Sequence, residues 1–258
     1  MGARRLSNPL KGLGLLTWLE LKIFMREPLG AIGTILIPVG LFVLLGKATS
    51  GEHAAPSEPF AGLLGPGGVP TLLALSVTVG AVLSLANIIS IYREGGILKR
   101  LRATPLRPWT ILTAHVLVKL FLTALTMTLM ILAGRRYFPI GSGVPLVGFT
   151  VAVVISTLAI LAMGFILASV IPTARFAQPI GALIFWPMIG LCGLFVAISA
   201  LPPTLRAIAS VLPLRFSASL MQGIWIGDRW SAHLMDISAL AIVFVVCVAI
   251  SAKVFRWE

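Results

Sequence analysis

Apolar residues run along this chain in long blocks, not in the short alternating stretches of a soluble fold. A bilayer core about 30 Å thick needs about 20 apolar residues at 1.5 Å each. Segments 29–46, 70–91, 110–133, 145–171, 179–200 and 232–254 meet that requirement. The first is short and the fourth is long, differences that tilt and interfacial ends absorb. Each must be helical, because backbone polar groups in hydrocarbon have to bond within their own segment. The pattern predicts an all-α polytopic membrane protein of six transmembrane helices, forming a single domain over 1–258.

The segments between the blocks carry their own signals. Segment 13–27 mixes Trp18, Glu20, Lys22 and Arg26 with apolar residues just before Pro28, which suits an N-terminal helix at the cytoplasmic interface better than a seventh span. Segment 201–231 is semi-hydrophobic but broken by Pro202, Pro203 and Pro213. It is too interrupted to span and too apolar for a free loop, so an outer re-entrant hairpin before the last span is expected.

Composition supports lipid as the solvent. Hydrophobic residues make up 58% and charged residues 11% of the 258 positions, against about 25% charged in a soluble domain. Lys and Arg number 20 and Asp and Glu 8, a net charge of +12. That balance suits either a nucleic-acid partner or cytoplasmic loops held against anionic headgroups. The apolar blocks decide for the membrane and against nucleic acid. Arg4, Arg5, Lys11, Lys22, Arg26, the basic residues of 92–109, Arg175, Lys253 and Arg256 fall on one side. Lys47, Arg135, Arg136, Arg206, Arg215 and Arg229 fall on the other. The bias places both termini in the cytoplasm.

Catalytic signatures are sparse. Gly40–Thr49 imitates a phosphate loop but has one residue too many between its glycines and Ala48 where a hydroxyl should follow Lys47. Cys192 and Cys247 sit inside apolar blocks, which excludes a disulfide framework or a Cys-rich zinc site. His53, His115 and His233 have no metal-ligand spacing. The amino end, interrupted by Glu20 and Lys22, does not read as a secretory signal. Lys119 lies inside the third span, where a cation is either functional or snorkels to the interface. Gly80 with Ser84, and Gly164 with Ala168, are small pairs four apart that permit close helix approach.

The loop 92–109 is the most informative. Arg93-Glu94-Gly95-Gly96 leads into Ile97, Leu98 and Leu101 at helical spacing among Lys99, Arg100 and Arg102, and Pro105 ends the pattern. It reads as a basic loop resting on headgroups or as a short helix docking into a soluble partner.

The run from Arg93 to Leu106 resembles the first cytoplasmic loop of type-2 export permeases of the ATP-binding-cassette (ABC) transporters, with Ile97 where Thr is frequent. Leu201-Pro202, Leu212-Pro213-Leu214-Arg215-Phe216 and Met221-Gln222-Gly223 are similar to the segment before that family's last span. The resemblance implies a bacterial inner-membrane permease that pairs with a second copy, a homodimer rather than a heterodimer, and with two copies of a separate ATPase subunit. ATP and Mg would sit on that subunit, and this chain would bind no cofactor of its own. Arg93, Glu94, Gly95, Ile97, Leu98, Arg100, Leu101 and Pro105 would couple to the ATPase, beside a connecting helix bearing Trp18, Glu20, Lys22 and Arg26. Asn87, Phe185 and Trp186 are the candidate pathway residues, with interfacial or lipid-facing roles as the alternative. The absence of a large charged cluster in the spans points to a hydrophobic or amphipathic substrate: a drug, a lipid or a glycan. The competing reading is a polytopic enzyme acting on a lipid-linked substrate, which needs acidic residues or His gathered at one interface. A secondary transporter would need carboxylates near the midplane.

Overall fold

The computed structural model describes residues 9–26, 32–49, 68–96, 108–137, 144–171, 173–192 and 201–254, and every regular element among them is helical. Helix α1 is Pro9–Arg26 and α2 is Ile37–Thr49, entered through the wide π turn Ile32–Leu36. The long helices are α3 (Gly68–Glu94), α4 (Pro108–Tyr137) and α5 (Leu146–Val170). Then follow α6 (Ala174–Leu191), α7 (Pro203–Ala209), α8 (Pro213–Ile226) and α9 (Leu234–Val254), the last preceded by the 3-10 turn Trp230–His233.

Local chemistry sets several ends. Proline opens α4, α7 and α8, where its fixed φ suits the first turn and its missing N–H leaves nothing unsatisfied. Gly227, at φ 101°, closes α8, and the N–H groups of Gly227 and Asp228 return to the Gly223 carbonyl. That left-handed closure is cheap only for glycine.

Among the described residues, Gly68–Glu94, Thr110–Arg136, Leu146–Val170 and Trp230–Lys253 are long and apolar enough to cross a membrane. These match four of the expected spans. Helices α7 and α8 together would make a fifth, but they meet at 75°, so the expected hairpin region is a sharply bent helix pair. The first expected span is helical from Ile32, and its apolar part, Ile32–Leu44, is shorter than a crossing. The fifth, expected at 179–200, starts earlier as α6 and carries Pro179 and Pro187 within the helix. Residues 27–31 and 193–200 lie outside the described set.

Helices α3 and α5 form the centre, packed on each other and flanked by α8, α6 and α9. Helix α4 buries one face, bearing Ile111, Ala114, Val118, Leu122 and Met130, and exposes Leu117, Phe121, Leu125, Leu129 and Leu132 on the other. A helix apolar on both faces satisfies protein inside and lipid outside. At the centre α3 widens into a π segment, Val79–Leu85, and glycines of two neighbours press on it. A Cβ on Gly164 of α5 would collide with the Ala81 carbonyl oxygen, and one on Gly181 of α6 would lie 3.0 Å from the Val82 oxygen. The Gly164–Ala168 pair does serve close packing. Gly80 and Ser84 instead face Lys119.

Candidate functional site

Two polar clusters sit at opposite ends of α3. At its last turn, three consecutive residues reach three other helices. The Tyr92 hydroxyl donates to Glu20 Oε1 of α1 at 2.9 Å. The Arg93 guanidinium donates to the Ile171 carbonyl that ends α5. Glu94 Oε1 accepts from the Ala174 N–H at 2.9 Å. That last bond caps α6, whose own N-cap residue Thr173 makes no side-chain bond, and a carboxylate there also meets the positive end of the helix dipole. The root of the loop that follows α3 is thereby fastened to α1, α5 and α6 at once.

Glu20 also stands 3.7 Å from His115 Nε2, and the Tyr92 and His115 rings lie 5.6 Å apart. One turn further along α4, Lys119 is 7% exposed and donates to Ser84 Oγ of α3 at 2.9 Å. Its side chain points into the protein and not to the interface. Glu20, Tyr92, His115 and Lys119 line a cavity of about 90 Å³ walled by Ile23, Phe24, Ile88 and Ile91.

At the other end, Gln222 Nε2 donates to Thr71 Oγ1 at 2.7 Å, joining α8 to the start of α3. His233 faces Asp236 through Nδ1 at 2.9 Å and Asp228 through Nε2 at 3.4 Å. Both ring nitrogens meet carboxylates, a geometry that only the imidazolium satisfies fully. Ser219 donates to Asp236 Oδ2 at 2.8 Å, the same oxygen that faces His233 Nδ1. Acidic and His residues of the kind an enzyme reading requires are thus gathered here. The imidazole lies so close to α8 that a Cβ on Gly223 would overlap it. Gly223→Ala is expected to expel the ring from both carboxylates and cost about 1–3 kcal/mol. Thermal unfolding in detergent checks this, and adding His233→Ala should recover part of the loss by removing the clash.

Of the residues expected to matter, Arg93, Glu94 and Glu20 meet at one end of the bundle, and Gly95 ends α3. Trp18, Lys22 and Arg26 face outward on α1. Ile97, Leu98, Arg100, Leu101 and Pro105 lie outside the described residues. Asn87 is half-buried, Phe185 belongs to the apolar core, and Trp186 is 67% exposed. Tyr92 carries no sequence signal of its own, and folding supplies partners for His115 and His233 that their spacing does not. The four-residue step from His115 to Lys119 was the available signal, while Glu20 is far off in sequence.

A model of the family described as ABC-2 type transporter matches residues 11–226. The chain belongs to that family. It is 26% identical over 161 residues to the protein named "Probable multidrug ABC transporter permease YbhR" of Escherichia coli, in strains K12 and O157:H7. The aligned part covers 62% of this chain and 44% of that relative, so the chain spans about half the length of the curated relatives it matches. Family membership and the apolar helices make this ABC-2 chain a multi-pass membrane protein.

Proposed function

We propose that this chain is the permease subunit of an ATP-driven exporter, working as a pair of permease subunits with two copies of a separate ATPase. In this reading it forms one domain of six spans with both termini cytoplasmic, and α7–α8 form an outer re-entrant hairpin. It lies in a bacterial inner membrane and moves a hydrophobic or amphipathic molecule outward. ATP and Mg act on the partner, and this chain holds no cofactor. The relative's name, which includes multidrug and permease, supports the substrate class.

The observation that carries the reading is the triple grip of Tyr92, Arg93 and Glu94. ATP can drive transport only by changing the relative stability of two permease conformations. A force applied to the loop beyond Glu94 reaches α1 through Glu20, α5 through Ile171 and α6 through Ala174. A loop bonded only to solvent would transmit nothing. The expected contact surface is the loop residues Ile97, Leu98, Arg100, Leu101 and Pro105, with Gly95 as the pivot and the exposed Trp18, Lys22 and Arg26 beside them. Asn87, Phe185 and Trp186 remain the candidate pathway positions.

Coexpression with a candidate ABC ATPase subunit, sought first among the neighbouring genes, tests the proposal. The two should copurify, and reconstituted complex should hydrolyse ATP with a rate that responds to candidate amphipathic substrates. Failure to assemble in both detergent and nanodiscs would overturn it. Activity of the isolated chain on a lipid-linked substrate without ATP would replace it with the enzyme reading.

A further inference from the structure

The cavity beneath α1 is walled on one side by an ammonium and on another by a carboxylate. Lys119 supplies the cation, and Ser84 engages one of its three donors. Glu20 supplies the anion, held by Tyr92. His115, 4% exposed, presents a buried Nε2 that makes no hydrogen bond among the described residues. The remaining walls, Ile23, Phe24, Ile88 and Ile91, are apolar. At about 90 Å³ the space holds a small polar group, since about 10–15 Å³ of such space already admits a water.

Charges of both signs lining one niche select the ligand. A purely anionic group would meet Glu20, and a purely cationic one would meet Lys119. A headgroup with phosphate and primary ammonium a few bonds apart satisfies both walls. We infer that this cavity binds the headgroup of a membrane phospholipid of the phosphoethanolamine type, with phosphate toward Lys119 and ammonium toward Glu20 and the His115 Nε2 that lies 3.7 Å from it. The tails stay in the bilayer against the apolar wall. The source is the surrounding membrane, because the cavity is partly open and lies between the lipid-exposed α1 and the inner ends of α3 and α4. Filling the niche would reduce the cost of holding an ammonium inside the bilayer. The inference concerns a bound lipid on the permease itself and does not depend on the exporter reading.

Native mass spectrometry of the full chain in detergent, titrated with dioleoyl phosphatidylethanolamine, phosphatidylcholine or phosphatidylglycerol, tests it without any ATPase. Phosphatidylethanolamine is expected to bind about tenfold more tightly than either of the others. The quaternary ammonium of phosphatidylcholine cannot donate to Glu20, and phosphatidylglycerol lacks a cation. Glu20→Gln should reduce the preference over phosphatidylcholine to below about threefold, and Lys119→Met should abolish tight retention of all three. If Lys119→Met does not fold, the selectivity series on wild type and Glu20→Gln decides alone. Soluble glycerophosphoethanolamine should not displace the lipid at equal concentration. Equal retention of all lipids, tightest binding of phosphatidylglycerol, no retained lipid, or displacement by the soluble headgroup would each overturn the assignment.

Discussion

Gly164→Ala is expected to lower the stability of the folded chain by about 1–3 kcal/mol, more than any other single methyl added to a glycine on α5 or α6. The new Cβ would strike the Ala81 carbonyl oxygen, with the carbonyl carbon at 3.0 Å. Backbone cannot swing aside as a flexible side chain does, so α3 and α5 must separate or α3 must give up its π segment. Either change loosens the two most buried of the four long spans. In a membrane, helix association rests on close packing instead of water exclusion, so lost proximity is not recovered elsewhere. Gly14→Ala is the control: nothing lies within 4 Å of its Cβ position, and alanine improves helix propensity by about 1 kcal/mol. Denaturant titration in mixed micelles should show opposite shifts for the two variants. Equal shifts would mean that the α3–α5 crossing is looser than described.

Replacing Glu94 separates two roles that share one carboxylate. Glu94→Ala removes the acceptor for the Ala174 N–H and should cost about 1 kcal/mol, the usual worth of an N-terminal cap. Its effect on the proposed coupling is expected to be far larger. Freed from α6, the end of α3 no longer transmits a load to it, and substrate-stimulated ATP turnover in the reconstituted complex should fall at least about tenfold, or about 1.4 kcal/mol in the coupling step. Glu94→Gln keeps an oxygen acceptor and loses the charge. If the grip on α6 is what matters, the glutamine variant retains most of the turnover. If glutamine fails as badly as alanine, the charge acts on the partner subunit and the intrachain bond is incidental.

The fold class was legible because membrane helices announce themselves locally. Blocks around 70–91, 110–133, 145–171 and 232–254 need only length and apolarity to be recognised, and the helices occupy them with ends shifted by a few residues. Helix α1 exposes Leu15, Trp18, Leu19 and Met25 while turning Glu20 inward. Proline misled at α6, where the apolar pattern starts at Pro179 although the helix starts at Ala174. Within a bundle, neighbours satisfy the carbonyl that a proline leaves unpaired, so Pro179 is an interior residue and not a start.

The candidate site was legible only in part. The Arg93–Glu94 pair stood out by its place in a basic loop, but what the pair touches could not be read. Ile171 and Ala174 lie about eighty residues onward, and the Glu20–Tyr92 bond spans 72 positions. Lys119 was singled out as an intramembrane cation, yet a snorkelling side chain and a buried one look identical in sequence. Local pattern, by itself, determined that this is a helical membrane protein, where its long apolar helices lie and which loop carries the basic charge, because those properties belong to individual segments meeting lipid or water. Only the tertiary structure decided that Lys119 turns inward to Ser84, that the α3 end clasps α1, α5 and α6, and that His233 bridges two aspartates. Such contacts depend on which faces of distant helices meet, and that is set by packing around Gly164, Gly181 and Gly223, not by any one stretch of chain.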